Sequence, residues 1–345
     1  MNDKHPEKQP GKSRTMPLTL TFNRLANNFH ILDQISESLP EFYLLAEYKD
    51  ALDHKFSDKE LLGKYRETRK RHQTAPDALT IGASNGNLFA PNPQELIDPI
   101  LDAFFTSESV DQALSKLDQV LTKEEISIIL QVFKKCQPIF ERLEIADTSA
   151  MTHNLNLLNA NINDNEIEPH LILTRSFYNS PTKYFTTVLL LWSPLSTGFT
   201  GCAYRDHLIV RTSGNEIPDS DIVKMLVSVI VHEATHHASA YASTEQKLRL
   251  SAIFESKSDI KSVPHFLYAI EEPLVLAIQM VFLKNTYPEI FERNRDWFND
   301  PMAIKIFPLV EKYFSAKQVI DAEFMEKCAM TVAESRQSLS PRPFV

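Results

Sequence analysis

The sequence predicts an α+β fold, a small sheet set between two groups of helices, and three observations lead to it. Residues 17 to about 150 carry a helical apolar period opened by capping signals. Between about 145 and 215 the composition turns to β-branched and aromatic runs bounded by turn residues. After Gly214 the helical pattern returns and holds to about 335. The organisation expected is a disordered polar tail over 1–16, a helical subdomain over 17–150 and a second domain over 151–345.

Each element follows from local chemistry. Ser57 with Glu60, and Thr122 with Glu125, have the spacing of capping boxes, each opening a helix. In the second of these, Ile126, Ile129, Leu130, Phe133, Ile139 and Phe140 share one face, and Pro138 is expected to bend or end the helix. Leu96 to Phe105 and Val110 to Val120 read as two further helices. Residues 74–93, with two glycines, several prolines and asparagines, read as a long loop. The basic run from Lys64 to His72 is expected to be a solvated face near a helix C-terminus, where cations complement the dipole. His170 to Tyr178, Tyr184 to Trp192 and His207 to Thr212 are predicted strands, with Gly201 to Tyr204 a fourth joined to the last by a tight turn.

Composition removes several functional classes. The chain has 345 residues, 43% hydrophobic and 23% charged, which excludes wholesale disorder. Only 7 glycines occur, and neither GxGxxG nor GxxxxGK[ST] is present, so a phosphate-cradling loop is not expected. A net charge of -9 gives no general attraction to nucleic acid or an anionic membrane. Three separated cysteines suggest buried thiols rather than disulfides or a metal clamp. No signal-peptide core precedes the fold and no run reaches the ~18 apolar residues of a membrane span, so cytoplasmic residence is expected.

The stretch that carries chemistry is Val229-Ile-Val-His232-Glu233-Ala-Thr-His236-His-Ala238. It contains HExxH. Residues four apart share a helix face, so His232 and His236 can offer two imidazoles to one cation. Glu233, about 100° around the axis, can reach a water beside that cation without being a ligand. The neighbours Met225, Leu226, Val229, Ile230, Val231 and Ala238 are apolar, so this helix is buried. Two histidines and a glutamate buried there need partners or a metal to offset desolvation. His237 points off the metal face and is read as a packing residue.

These residues resemble the zinc-dependent metallopeptidases of the zincin type. The metzincin extension is absent, with Ser239 and Ala242 at its positions, so the resemblance is to the gluzincins. It covers about 165–285 and implies a third ligand, a glutamate on a later helix. Tyr268, Ile270 and Leu274 align with the gluzincin signature so as to select Glu272, although Pro273 stands where glycine is usual. Glu271 and Glu255 remain alternatives. The resemblance implies a zincin-like catalytic domain over 151–345 and one Zn2+ per chain held by His232, His236 and Glu272. It also implies Glu233 as general base on a zinc-bound water, and a peptide or protein substrate lying along an edge strand near 201–212. Tyr241, His265, Tyr268 and Tyr313 are its candidates for stabilising an oxyanion. The alternative function is a catalytically weak zincin-fold protein that serves as a binding or regulatory module.

Overall fold

The structure, a computed structural model, describes residues 18, 20–36, 58–72, 98–145, 148–164, 167–181, 187–192, 200–204, 207–212, 220–258, 270–295 and 298–338. The expected tail over 1–16, the loop over 74–93 and the turn at 205–206 lie outside them. Helices α1 (Arg24–Ile35), α2 (Lys59–His72), α3 (Pro99–Phe105), α4 (Val110–Leu117) and α5 (Lys123–Ile145) gather around one apolar core. Phe29, Phe104 and Phe133 stack through its centre, with ring centroids 4.6 and 4.8 Å apart.

Side-chain caps set most of these helix starts. Asp98 Oδ1 accepts from Leu101 N at 2.9 Å, and Ser109 Oγ accepts from Gln112 N at 3.2 Å. Thr122 and Glu125 form the reciprocal pair expected of a capping box, at 2.8 and 3.2 Å. Ser57 lies outside the described residues, and Asp58 caps α2 through Leu61 N at 3.0 Å. Pro138 does not end α5, which runs on to Ile145. Pro138 and Lys134 are both exposed, so water can serve the carbonyl that proline leaves without a donor.

The basic run keeps Lys64, Lys70 and Arg71 exposed but departs from expectation at one residue. Arg69 is fully buried. Its guanidinium forks onto Asp98 at 2.7 and 2.8 Å and onto Asp33 at 3.0 and 2.9 Å, and it lies 4.8 Å over the Phe29 ring. Tyr65 Oη donates to the same Asp33 at 2.7 Å. A charge this deep is tolerated because two carboxylates compensate it bidentately.

The rest of the chain adds α6 (Thr148–Asp164), α7 (Ile167–Phe177), α8 (Ser220–Ala240), α9 (Thr244–Ser258), α10 (Glu272–Thr286), α11 (Pro288–Arg293), α12 (Pro301–Ser315) and α13 (Ala322–Ser338). Four short strands, β1 (Leu20–Thr21), β2 (Thr187–Trp192), β3 (Thr200–Tyr204) and β4 (His207–Thr212), pair in the order β1-β2-β4-β3. β1 and β4 flank β2 in parallel, and β3 closes antiparallel on β4 as an edge strand. β3 and β4 pack on α8.

The α+β, zincin-like fold class expected from the sequence is therefore corrected. Among the described residues the chain is almost wholly helical, thirteen helices against four strands of two to six residues. The main reason is the segment 170–178, expected as a strand and found in α7 and the turn that follows it. Ile167, His170, Leu171, Thr174 and Phe177 are its buried positions, a spacing of three and four that belongs to a helix rather than to a strand. His170 is wedged in a second apolar region, 5.2 Å from the Phe282 ring and 5.4 Å from Phe314, and burial pushes its pKa down to about 3. No helix among the described residues is long and apolar enough to cross a membrane. Cys136 and Cys328 are buried free thiols.

Candidate metal centre

The site is built where α8 packs on α10. α8 is buried on nearly every side, with Val227, Ile230, Val231 and Ala234 fully covered. That burial fixes its rotation, so His232 and His236 emerge together towards the start of α10. There Glu272 is the first helical residue and Pro273 the next, a position where proline's missing N–H costs nothing. The apolar run that follows, Leu274 to Leu283, anchors α10 in the core.

The two imidazoles and the Glu272 carboxylate converge. His232 Nε2 lies 3.3 Å from Glu272 Oε1, and His236 Nε2 lies 3.1 Å from Glu272 Oε2. Donor atoms of the three residues all lie within 4.8 Å of one another. Burial opposes charge on Glu272, yet the neighbouring imidazoles, His232 foremost, hold its carboxyl well below the usual range. Burial likewise opposes charge on His236, and Glu271 and Glu272 outweigh it to hold the imidazole well above its ordinary pKa. The two shifts are two sides of one imidazole–carboxylate pairing.

The other ring nitrogens are engaged from behind. His232 Nδ1 meets Gln279 Oε1 at 3.1 Å, and Gln279 Nε2 donates to Ser228 Oγ at 2.9 Å. His236 Nδ1 meets Glu271 Oε1 at 3.3 Å, and Ser239 Oγ donates to the same oxygen at 2.9 Å. Amide and carboxylate oxygens accept, so each Nδ1 donates, which leaves Nε2 as the atom each ring can offer a metal. Glu271 therefore stands at the N-terminus of α10 without capping it, its side chain spent on His236 and Ser239. Buried Lys247 hydrogen-bonds the Ala240 carbonyl at the end of α8. Burial pushes its amine down to about 8, against the pull of the Glu271 charge.

Glu233 projects from α8 against the sheet and is only 4% exposed. Its side chain lies on the backbone of β3: a methyl group built on Gly201 would stand 2.5 Å from Glu233 Cγ and 2.6 Å from its Oε1.

The sequence-derived candidates thus separate. His232, His236 and Glu272 come together, whereas Glu255 is exposed on α9, outside the cluster. Glu271 faces Nδ1 of His236 rather than the shared donor space. His237 is buried and stacked on Tyr241, with ring centroids 4.5 Å apart. Tyr313 donates to Asp321, and His265 and Tyr268 lie outside the described residues. Sequence reasoning missed Gln279, Ser228, Ser239 and Gly201. Gln279 did leave a signal, as the one polar residue within Leu274–Leu283. Compared with protein-family models, curated proteins and solved structures, the chain matches none.

The donor set is decisive. His232-Glu233-x-x-His236…Glu272 matches the gluzincin-type HExxH…E zinc-binding motif. Two imidazole nitrogens and one carboxylate oxygen are ligands of the kind zinc takes in hydrolytic sites, where three protein donors leave a position for water or substrate. With both Nδ1 atoms engaged and both Nε2 atoms turned inward, these residues fit one zinc ion per chain.

Proposed function

We propose that the chain is a zinc-dependent metallopeptidase that hydrolyses a peptide bond in a peptide or protein substrate. The observation that carries this reading is the convergence of His232, His236 and Glu272 from two helices, with Glu233 on the same helix turn. His232 and His236 would hold zinc through Nε2 and Glu272 through its carboxylate. Bound there, zinc supplies Lewis acidity, polarising the scissile carbonyl and making a water easier to deprotonate. Glu233 takes the proton from the attacking water and delivers it to the leaving amine nitrogen. Gln279 and Glu271 keep the two imidazoles in the tautomer and orientation that ligation requires. β3 ends the sheet order, so its outer edge suits an extended substrate backbone, and Glu233 lies beside it. The division into 17–150 and 151–345 belongs to the same proposal. It is supported by an apolar core drawn from Leu25 to Phe140, to which, among the described residues, only Ile209 is added from later in the chain.

The test is Glu233→Gln, which removes the base and leaves every proposed ligand. Zinc content should stay at one per chain while kcat on a peptide library falls by roughly 10²–10⁴. Wild-type protein that holds no zinc would end the reading, and zinc without cleavage of any peptide would leave only a binding module.

A further inference from the structure

A chain with 7 glycines in 345 residues sets one of them against its most important carboxylate. Gly201 pairs with Val210 inside β3, an ordinary strand position where a β-branched residue would be favoured on propensity alone. Glycine in a strand weakens it and marks a place where something else must approach the backbone closely. Here the approaching group is Glu233. A Cβ on Gly201 would lie 2.5, 2.6 and 2.8 Å from Glu233 Cγ, Oε1 and Cδ, all far inside van der Waals contact. Neither backbone can readily retreat, because α8 is packed by Val227, Ile230, Val231 and Ala234, and β3 is paired along its length to β4, whose Leu208, Ile209 and Val210 are buried.

We infer that Gly201 is a positioning residue for the reaction: its bare Cα holds the Glu233 carboxylate against the edge strand, where the attacking water is deprotonated. The inference rests on the metallopeptidase reading for its catalytic consequence, and on packing alone for its structural one. Any side chain at 201 forces Glu233 onto another rotamer. The three atoms nearest the added methyl all belong to Glu233, so the clash falls first on the base rather than on a zinc ligand.

Gly201→Ala is expected to lower kcat about 10²-fold, the scale of a misplacement near 1 Å, with KM and zinc affinity within about two-fold of wild type. In a Glu233→Gln background the same substitution should cost no further kcat, because the group it displaces no longer acts as a base. Gly63→Ala is the control, since a Cβ at Gly63 meets nothing within 4 Å. It should leave kcat unchanged. A readout independent of turnover is the melting temperature: Gly201→Ala should lower it by several degrees, and Glu233→Ala should restore most of that loss by removing the opposing atoms. An inactive wild type would sink the metallopeptidase reading while this thermal coupling still tested the contact. Additive melting shifts, or a Gly201→Ala enzyme with wild-type kcat, would overturn the inference.

Discussion

Replacing Gln279 by leucine should loosen zinc while leaving the metal-free fold almost untouched. Gln279 accepts from His232 Nδ1 at 3.1 Å and donates to Ser228 Oγ at 2.9 Å. Leucine has a similar volume and removes both hydrogen bonds, each worth about 1 kcal/mol net. Ser228 keeps its own bond to the Met225 carbonyl at 2.6 Å, and the His232 side chain is 14% exposed, so water can reach the group released. The new side chain, at a position only 5% exposed in α10, adds about 1–3 kcal/mol of apolar burial in return. Metal-free stability should therefore change by no more than about 1 kcal/mol. Zinc binding has no such compensation. Without an acceptor the His232 ring loses its fixed tautomer and orientation, which costs about 10–100-fold in metal affinity, or about 1.4–2.7 kcal/mol. Competition against a fluorescent zinc chelator at pH 7 measures the affinity, and urea denaturation of the metal-free protein measures the stability. A zinc Kd within two-fold of wild type would refute the reasoning, as would an affinity loss matched by an equal loss of metal-free stability.

Glu272→Ala should lose zinc on dialysis against a weak chelator, while Glu255→Ala keeps it, because Glu255 is exposed on α9; metal analysis of both variants checks the ligand set. His170 is held neutral with a pKa of about 3, against about 6.5 in the unfolded chain. Above pH 6.5 the two states bind the same proton count; below it only the unfolded chain is protonated, so stability falls with pH until about 3. At pH 4.5 this amounts to about 3 kcal/mol, and His170→Phe should remove that increment from the difference between urea midpoints at pH 7 and 4.5. Arg69→Met strands the buried Asp33 and Asp98 carboxylates and should cost about 3–5 kcal/mol in denaturant unfolding, with zinc affinity in the surviving folded protein unchanged.

What could be read from the sequence was what is local. HExxH is legible because helical geometry alone puts His232 and His236 on one face, and a capping box such as Thr122–Glu125 spans only four residues. Glu272 could be singled out by its setting before an apolar helix, but its division of labour with Glu271 could not. Which of two adjacent carboxylates meets Nε2 and which meets Nδ1 depends on how α8 and α10 are packed. Arg69 shows the same limit, since its partners lie 36 and 29 residues away and nothing in Lys64–His72 hints at burial. The segment 170–178 was misread for a different reason. Its branched and aromatic content suits a strand, while the spacing of its buried residues is helical, and the spacing decided. Gly201 left no trace beyond scarcity, because its reason is a contact with a helix made later in the chain.

The spacing of the zinc donors has a consequence for the order in which this protein can be completed on a ribosome. Glu272 follows His236 by 36 residues, and Gln279 follows His232 by 47. The first strand waits longer still, since Leu20 has no strand partner until Val188 has been made. A nascent chain that has released α8 therefore offers an incoming ion two histidines without Glu272, on a helix that α6, α7, β3 and β4 can already cover but whose partner α10 is still inside the exit tunnel. Firm zinc loading must come late, after α10 has emerged and docked, and the same docking that delivers Glu272 also delivers Glu271 and Gln279 to the backs of the imidazoles. Stalling synthesis just short of Glu272 should leave a chain that picks up zinc weakly and exchanges it freely.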